Sequence, residues 1–273
     1  SLTDDWDYGK NRAKISWYSI DPVLVNTYQT GMSGQPQHLK DDTAQLNNVF
    51  VRQVLETDVF PEKQNAMNSF ITMNTMNLSF YPEERGPYNF DTTMHYDGRL
   101  KNPEDRWGGI MQDIQTTDFE AANVEYIEFW MLNPFHYTED DEISGDLYIN
   151  LGNISEDILK DGKKLFENGL PKNGDYSTVN TSVWGVTPNS QPITNSFDND
   201  VTARVFQDVG YDGLTDQMEK DSLNKFLTSL NNMVNNNLLD QNIYNKIEAD
   251  PSSDNYHYYK GDDYDAIELS VLD

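Results

Sequence analysis

The chain of 273 residues carries 46 acidic against 19 basic side chains, a formal net charge of −27, and no cysteine. So large a negative charge excludes a phosphate-tracking nucleic-acid surface and argues against an anionic membrane face, because both are bound through basic side chains. Without cysteine there is no disulfide, thiolate metal site or thiol nucleophile, and the four histidines (His38, His95, His136, His257) are too scattered for a histidine zinc site.

The opening SLTDDWDYGKNRAK has no apolar run of the kind a signal peptide needs, and no window approaches the roughly 18 apolar residues of a membrane helix. Polar sequence at both ends suits a fragment of a longer protein. Strands are expected at 14–20 (KISWYSI), 49–55 (VFVRQVL) and 76–82 (MNLSFYP), the last alternating Leu78 and Phe80 with polar residues before stopping at Pro82. The stretch 124–132 (VEYIEFWML) is apolar on both faces apart from Glu125 and Glu128, which predicts a central strand covered on both sides. In 145–152 (GDLYINLG), Leu147, Ile149 and Leu151 should face inward. Strands at this spacing, joined by turn-rich stretches, predict a mainly β fold, an antiparallel sandwich with two peripheral helices.

The first helix is expected at 154–168. Asn153 would cap it with Glu156 in the first turn, Ile158, Leu165 and Phe166 would form its apolar stripe, and Gly169 and Pro171 would end it. The second is expected at 216–239, where Leu223, Phe226, Leu227, Leu230, Met233 and Val234 recur at three- and four-residue spacing, with an Asn-rich end that should fray. Together these divide the chain into a sandwich domain at 1–214, a helical segment packed on it at 215–249, and an extended acidic, Tyr-rich tail at 250–273.

The sharpest local pattern runs from Asp208 to Glu219. Carboxylates at Asp208, Asp212, Asp216 and Glu219 occupy positions one, five, nine and twelve of a calcium loop, with Gly213 at six. A hard cation wants six to eight oxygens, and a sharp turn lets the chain wrap it. The pattern departs from the loop at position three, where Gly210 brings no oxygen, and the preceding VTARVFQ reads as a strand rather than an incoming helix. The alternative needs no metal: a Gly-rich turn into the second helix, with Asp216 as N-cap and Glu219 closing a capping box. No other cofactor is required.

Other candidates are weaker. The run Glu139, Asp140, Asp141 and Glu142, with Asp146 beyond, reads as a solvated loop. Glu125 and Glu128 point to opposite faces of a strand and cannot flank one glycosidic bond, and Asp118 and Glu120 lie on a turn-like approach. No G-x-S-x-G, H-E-x-x-H, G-x-G-x-x-G or P-loop pattern occurs, so the chain is read as a non-enzyme. Trp107, Trp130, Trp184 and the group Tyr256, Tyr258 and Tyr259 offer rings on which a sugar stacks. Trp130 at the end of a buried strand, and Trp107 and Trp184 beside glycines, read first as core or corner residues.

Several long strings resemble the SprA/Sov family of very large outer-membrane proteins of Bacteroidetes. They are 81–90 (YPEERGPYNF), 106–111 (RWGGIM), 117–130 (TDFEAANVEYIEFW), 145–157 (GDLYINLGNISED), 161–162 (DG), 167–171 (ENGLP), 207–214 (QDVGYDGL) and 250–254 (DPSSD). In order they cover most of residues 8 to 260, and 266–273 lies outside the likeness. The resemblance implies a soluble domain of a type IX secretion translocon, which also serves gliding motility. It would sit at the outer membrane and cell surface as a cap, gate or docking platform beside the barrel. Its implied partners are other secretion components, the rest of the barrel and secreted cargo. The stretch 118–152 also resembles jelly-roll modules of carbohydrate-binding proteins, which makes the sandwich jelly-roll-like and gives the alternative reading, a carbohydrate-binding module with a glycan as ligand. Surface acidity near a conduit would resist adhesion of passing proteins.

Overall fold

A computed structural model describes residues 9–20, 37–63, 71–112, 114, 118–137, 144–152, 170–182, 184–189, 201–204, 206, 210 and 212–255. In chain order the elements are β1 (Ala13–Tyr18), α1 (Gln37–Asp41), α2 (Thr43–Leu46), α3 (Glu56–Val59), β2 (Asn77–Arg85), β3 (Val179–Thr181), β4 (Val186–Pro188), α4 (Val201–Arg204), α5 (Asp216–Ser222), α6 (Asn224–Asn235) and α7 (Gln241–Ala249). Two units divide the chain: one comprises Ser1–Tyr18, Asn77–Gly109 and Glu156–Glu268, the other Ser19–Met76, Ile110–Ser155 and Leu269–Asp273.

In the first unit β1 and β2 pair antiparallel, with Ile15 opposite Phe80 and Trp17 opposite Leu78 on one face. The predicted stop at Pro82 is corrected: β2 continues to Arg85. Proline has no N–H to give a ladder, and the strand accommodates it at an irregularity, where the register jumps from Lys14 opposite Tyr81 to Ala13 opposite Arg85. The short strands β3 and β4 form a second antiparallel pair. Among the described residues each sheet has two strands, so the antiparallel pairing is present on a smaller scale than a sandwich.

The predicted helix at 216–239 is two helices. Leu223 (φ −96°, ψ 18°) breaks the run between α5 and α6. The asparagine-rich end caps rather than frays: Asn237 takes a left-handed φ of 55°, and the Leu238 amide donates to the Met233 carbonyl at 2.8 Å, closing a Schellman turn. Beyond it α7 is a helix that the apolar pattern did not announce, capped by the Asp240 carboxylate accepting from the Asn242 amide at 2.7 Å. Phe226, Leu227 and Leu230 of α6 bury against Met94 and Leu239, with Ile243, Tyr244 and Ile247 of α7 packed on that core. The three- and four-residue periodicity thus builds a helical core. The predicted strand character of VTARVFQ is also corrected, since Val201–Arg204 forms α4.

In the second unit, 49–55 is not a strand. Asn48 turns the chain there, its carbonyl accepting from the Val51 and Arg52 amides and its side chain from the Phe50 amide at 2.9 Å. Only Leu55 pairs, in a single bridge to Thr72. The stretches 124–132 and 145–152 are corrected too. They carry no ladder and lie open, with Trp130 73% exposed and its ring edge-on to Phe60 at 5.7 Å. Their apolar content reported strand chemistry, but burial needs a partner sheet, which the described residues do not supply. The predicted helix at 154–168 lies outside the described residues.

Candidate cation site

The site is built where three local structures of the first unit converge. The first is the turn leading into α5. Asp212 sits in an Asx turn, its Oδ1 accepting from the Leu214 amide at 2.9 Å, and its carbonyl accepts from the Val186 amide at 2.7 Å. Gly185 and Gly213 (φ +152° and +66°) allow this close approach, because a Cβ on either would run into the facing backbone. The second is α5 itself. Its N-cap is Thr215, whose hydroxyl accepts from the Met218 amide, so the expected cap at Asp216 and capping box at Glu219 are both corrected. Freed from capping, Glu219 turns inward and is 1% exposed.

The third is the turn at 250–254, which the sequence placed in an extended tail. Pro251 and Ser252 are fully buried there. The Tyr88 amide donates to the Ser252 carbonyl at 2.8 Å, and Arg85 donates to the carbonyls of Pro251 (2.6 Å) and Asp250 (3.3 Å). Ser252 reaches the acids directly: its amide donates to Glu219 Oε2 at 3.0 Å and its hydroxyl to Asp212 Oδ2 at 3.3 Å. The Tyr88 hydroxyl donates to Asp254 Oδ2. Tyr88 and Ser253 hold left-handed φ values of 57° and 56°, backbone that non-glycine residues adopt at a cost.

These turns bring carboxylate oxygens of Asp212, Glu219 and Asp254 within 4.8 Å of one another, and those of Asp216, Glu219 and Asp250 likewise. At that separation two ionised carboxylates repel by roughly 3 kcal/mol with an effective dielectric near 20, so the trio cannot all ionise unaided. The titration reflects this. Burial, then the charges of Asp212 and Glu219, push the Asp254 carboxyl up to about 9. Burial, then Glu219, raises Asp212 well above the carboxylate range, against the pull of the Leu214 amide and Ser252 hydroxyl. Burial also raises Glu219. Arg85 feels the charges of Asp250, Glu219 and Asp254 and is lowered to about 10 by burial, but its hydrogen bonds go to carbonyls of Asn89, Asp250 and Pro251.

The donor set fits a hard cation. Gly210, the loop position that lacked an oxygen, has φ +64°, and a Cβ on it would overlap Asp254 Oδ2. The carboxylate of Asp254, 44 positions further along the chain, therefore lies against the loop position that brings no oxygen of its own. Calcium would be held by Asp212, Glu219 and Asp254, with Asp216 and Asp250 beside Glu219.

The remaining sequence candidates do not converge here. Asp208 lies outside the described residues, as do 139–142 and Tyr256, Tyr258 and Tyr259. Asp118 caps its own turn, accepting from the Ala121 amide at 2.9 Å, and Asp146 accepts from the Tyr148 hydroxyl. Glu125 and Glu128 are exposed. Trp184 is half-buried; Trp107 is half-exposed rather than core. Sequence reasoning missed Asp250 and Asp254. Two aspartates bracketing Pro-Ser-Ser directly after a helix were the available signal for a tight, acid-bearing turn. Compared with known proteins, the chain matches no family model and no curated protein.

Proposed function

We propose that the chain is a non-enzymatic domain of a protein-export translocon of the SprA/Sov kind, held together by a calcium ion and acting as a cap, gate or docking platform. The export role rests on the strings at 81–90, 106–111, 117–130, 145–157, 207–214 and 250–254 that resemble that family. On this reading the domain stands at the outer membrane and cell surface and meets other secretion components and cargo. The observation that carries the calcium part is the seating of Asp254 at the gap left by Gly210, beside Asp212 and Glu219. Extracellular calcium modules bind at roughly 10⁻⁴ to 10⁻³ M, a range suited to a cell-surface protein.

The test is export by the full-length translocon. Deleting this domain should disturb secretion, and pairing Asp212→Asn with Glu219→Gln should reproduce the defect in part, by loosening the same domain. Unchanged export on deletion defeats the translocon role; a defect on deletion with none from the double substitution defeats the calcium part alone.

A further inference from the structure

We propose that a second site, independent of both the export role and the cation site, binds a neutral sugar in the cavity of about 390 Å³ between residues 10–11, 91–93 and 102–106. The volume falls within the roughly 300–1,000 Å³ of small-molecule sites. Its chemistry narrows the ligand by elimination. Lys10, Asn11, Asp91, Thr92, Thr93, Asn102, Asp105 and Arg106 line it, all of them polar or charged, so an apolar ligand has nothing to bury against.

An anion finds no free guanidinium. Arg106, its side chain 3% exposed, pairs with Asp91 at 2.7 Å. Its Nε and Nη2 donate to the Lys101 carbonyl at 3.1 and 2.7 Å, and its Nη1 to the Lys10 carbonyl. Asp91 is committed as well, its Oδ1 accepting from the Thr93 amide at 2.9 Å. A cation would meet a single open carboxylate, Asp105, in a lining where two acidic residues balance two basic ones.

What is left over is an array that both donates and accepts. The side chains of Asn11, Thr92, Thr93, Asn102 and Asp105 have no hydrogen-bond partner among the described residues. Two amides, two hydroxyls and a carboxylate suit a ligand whose every hydroxyl also donates and accepts. The walls are fixed in advance. The buried Asn89 amide donates to the carbonyls of Lys10 (3.1 Å) and Arg12 (2.5 Å), and its Oδ1 accepts from the Asp91 amide at 2.8 Å. Asn102 is held at φ 56° before the short 3₁₀ turn Pro103–Asp105. Rigid placement lowers the ordering cost of binding a weak polar ligand.

Saturation-transfer NMR on the full chain tests this with glucose, galactose, mannose and N-acetylglucosamine, and with glucuronate and inorganic phosphate as charged probes. The expected result is saturable binding of at least one neutral sugar, weakened at least tenfold by Asn102→Gly, which keeps the left-handed backbone, and by Asp105→Asn, which keeps the shape. Lys246→Ala, at an exposed position of α7, should leave it unchanged. No neutral sugar binding, tighter binding of phosphate or glucuronate, or binding indifferent to both substitutions overturns the proposal.

Discussion

Replacing Asp254 by asparagine should stabilise the protein when calcium is chelated and abolish its response to calcium. The sign follows from proton linkage. A carboxyl raised to about 9 in the folded state holds its proton at pH 7, whereas the unfolded chain releases it near pH 4. The folded state then binds more protons than the unfolded one between those two values, so stability falls as pH rises through that window, by up to roughly 1.4 kcal/mol per pH unit. Three units from pH 4 to pH 7 give an upper bound of about 4 kcal/mol. Asp254 shares its protons with Asp212 and Glu219 and is half-buried, which reduces the recoverable part to about 1–3 kcal/mol. An asparagine of the same shape carries no charge to desolvate and still accepts from Tyr88. At roughly 2–4 °C per kcal/mol for a chain of this size, the melting temperature in chelator at pH 7.5 should rise by about 3–10 °C, and its decline between pH 5 and pH 8 should flatten. In saturating calcium the order should reverse, because the parent gains about 2.7 kcal/mol at a hundredfold excess over Kd and the variant gains little. Thermal unfolding followed by circular dichroism, with chelator or calcium at pH 5, 6.5 and 8, reads all of these. A variant less stable than the parent in chelator at pH 7.5, beside a parent whose stability does not change with pH, would refute the reasoning.

Gly210→Ala should lower stability by about 1–2 kcal/mol through its left-handed backbone alone and weaken calcium binding at least tenfold by displacing the Asp254 carboxylate; urea midpoints and a calcium titration check the two parts. Leu230→Ala empties a fully buried position between α6, Met94 and Leu239 and should cost about 2–5 kcal/mol by urea unfolding without altering calcium affinity. Asn89→Ala removes the donors to the Lys10 and Arg12 carbonyls and should cost about 2–3 kcal/mol, with faster amide exchange along β1 as the local sign.

The helical core was legible because Phe226, Leu227 and Leu230 recur at helical spacing and their partners, Leu239 and Met233, lie nearby in the chain. The strands β1 and β2, though not their pairing, were legible for the alternating Leu78 and Phe80 and the β-branched and aromatic run from Ile15 to Tyr18. The stretches at 49–55 and 124–132 misled for a shared reason: β-branched and aromatic residues report how a side chain would pack in a strand, not whether a neighbouring strand exists. Half of the site could be read from Asp212, Asp216 and Glu219, whose spacing is local. The other half could not, since Asp254 reaches Gly210 only through the turns that Arg85, Tyr88 and Ser252 tie together. Gly210 brings no oxygen of its own, and only the folded chain sets the Asp254 carboxylate against it.

Calorimetric titration of calcium into the chelator-treated full chain, run beside Asp254→Asn, tests the account most directly. One saturable event with a millimolar or tighter Kd, accompanied by proton release at pH 7 and lost in the variant, is the predicted result. Absence of binding by the parent, or equal binding by the two proteins, would contradict it.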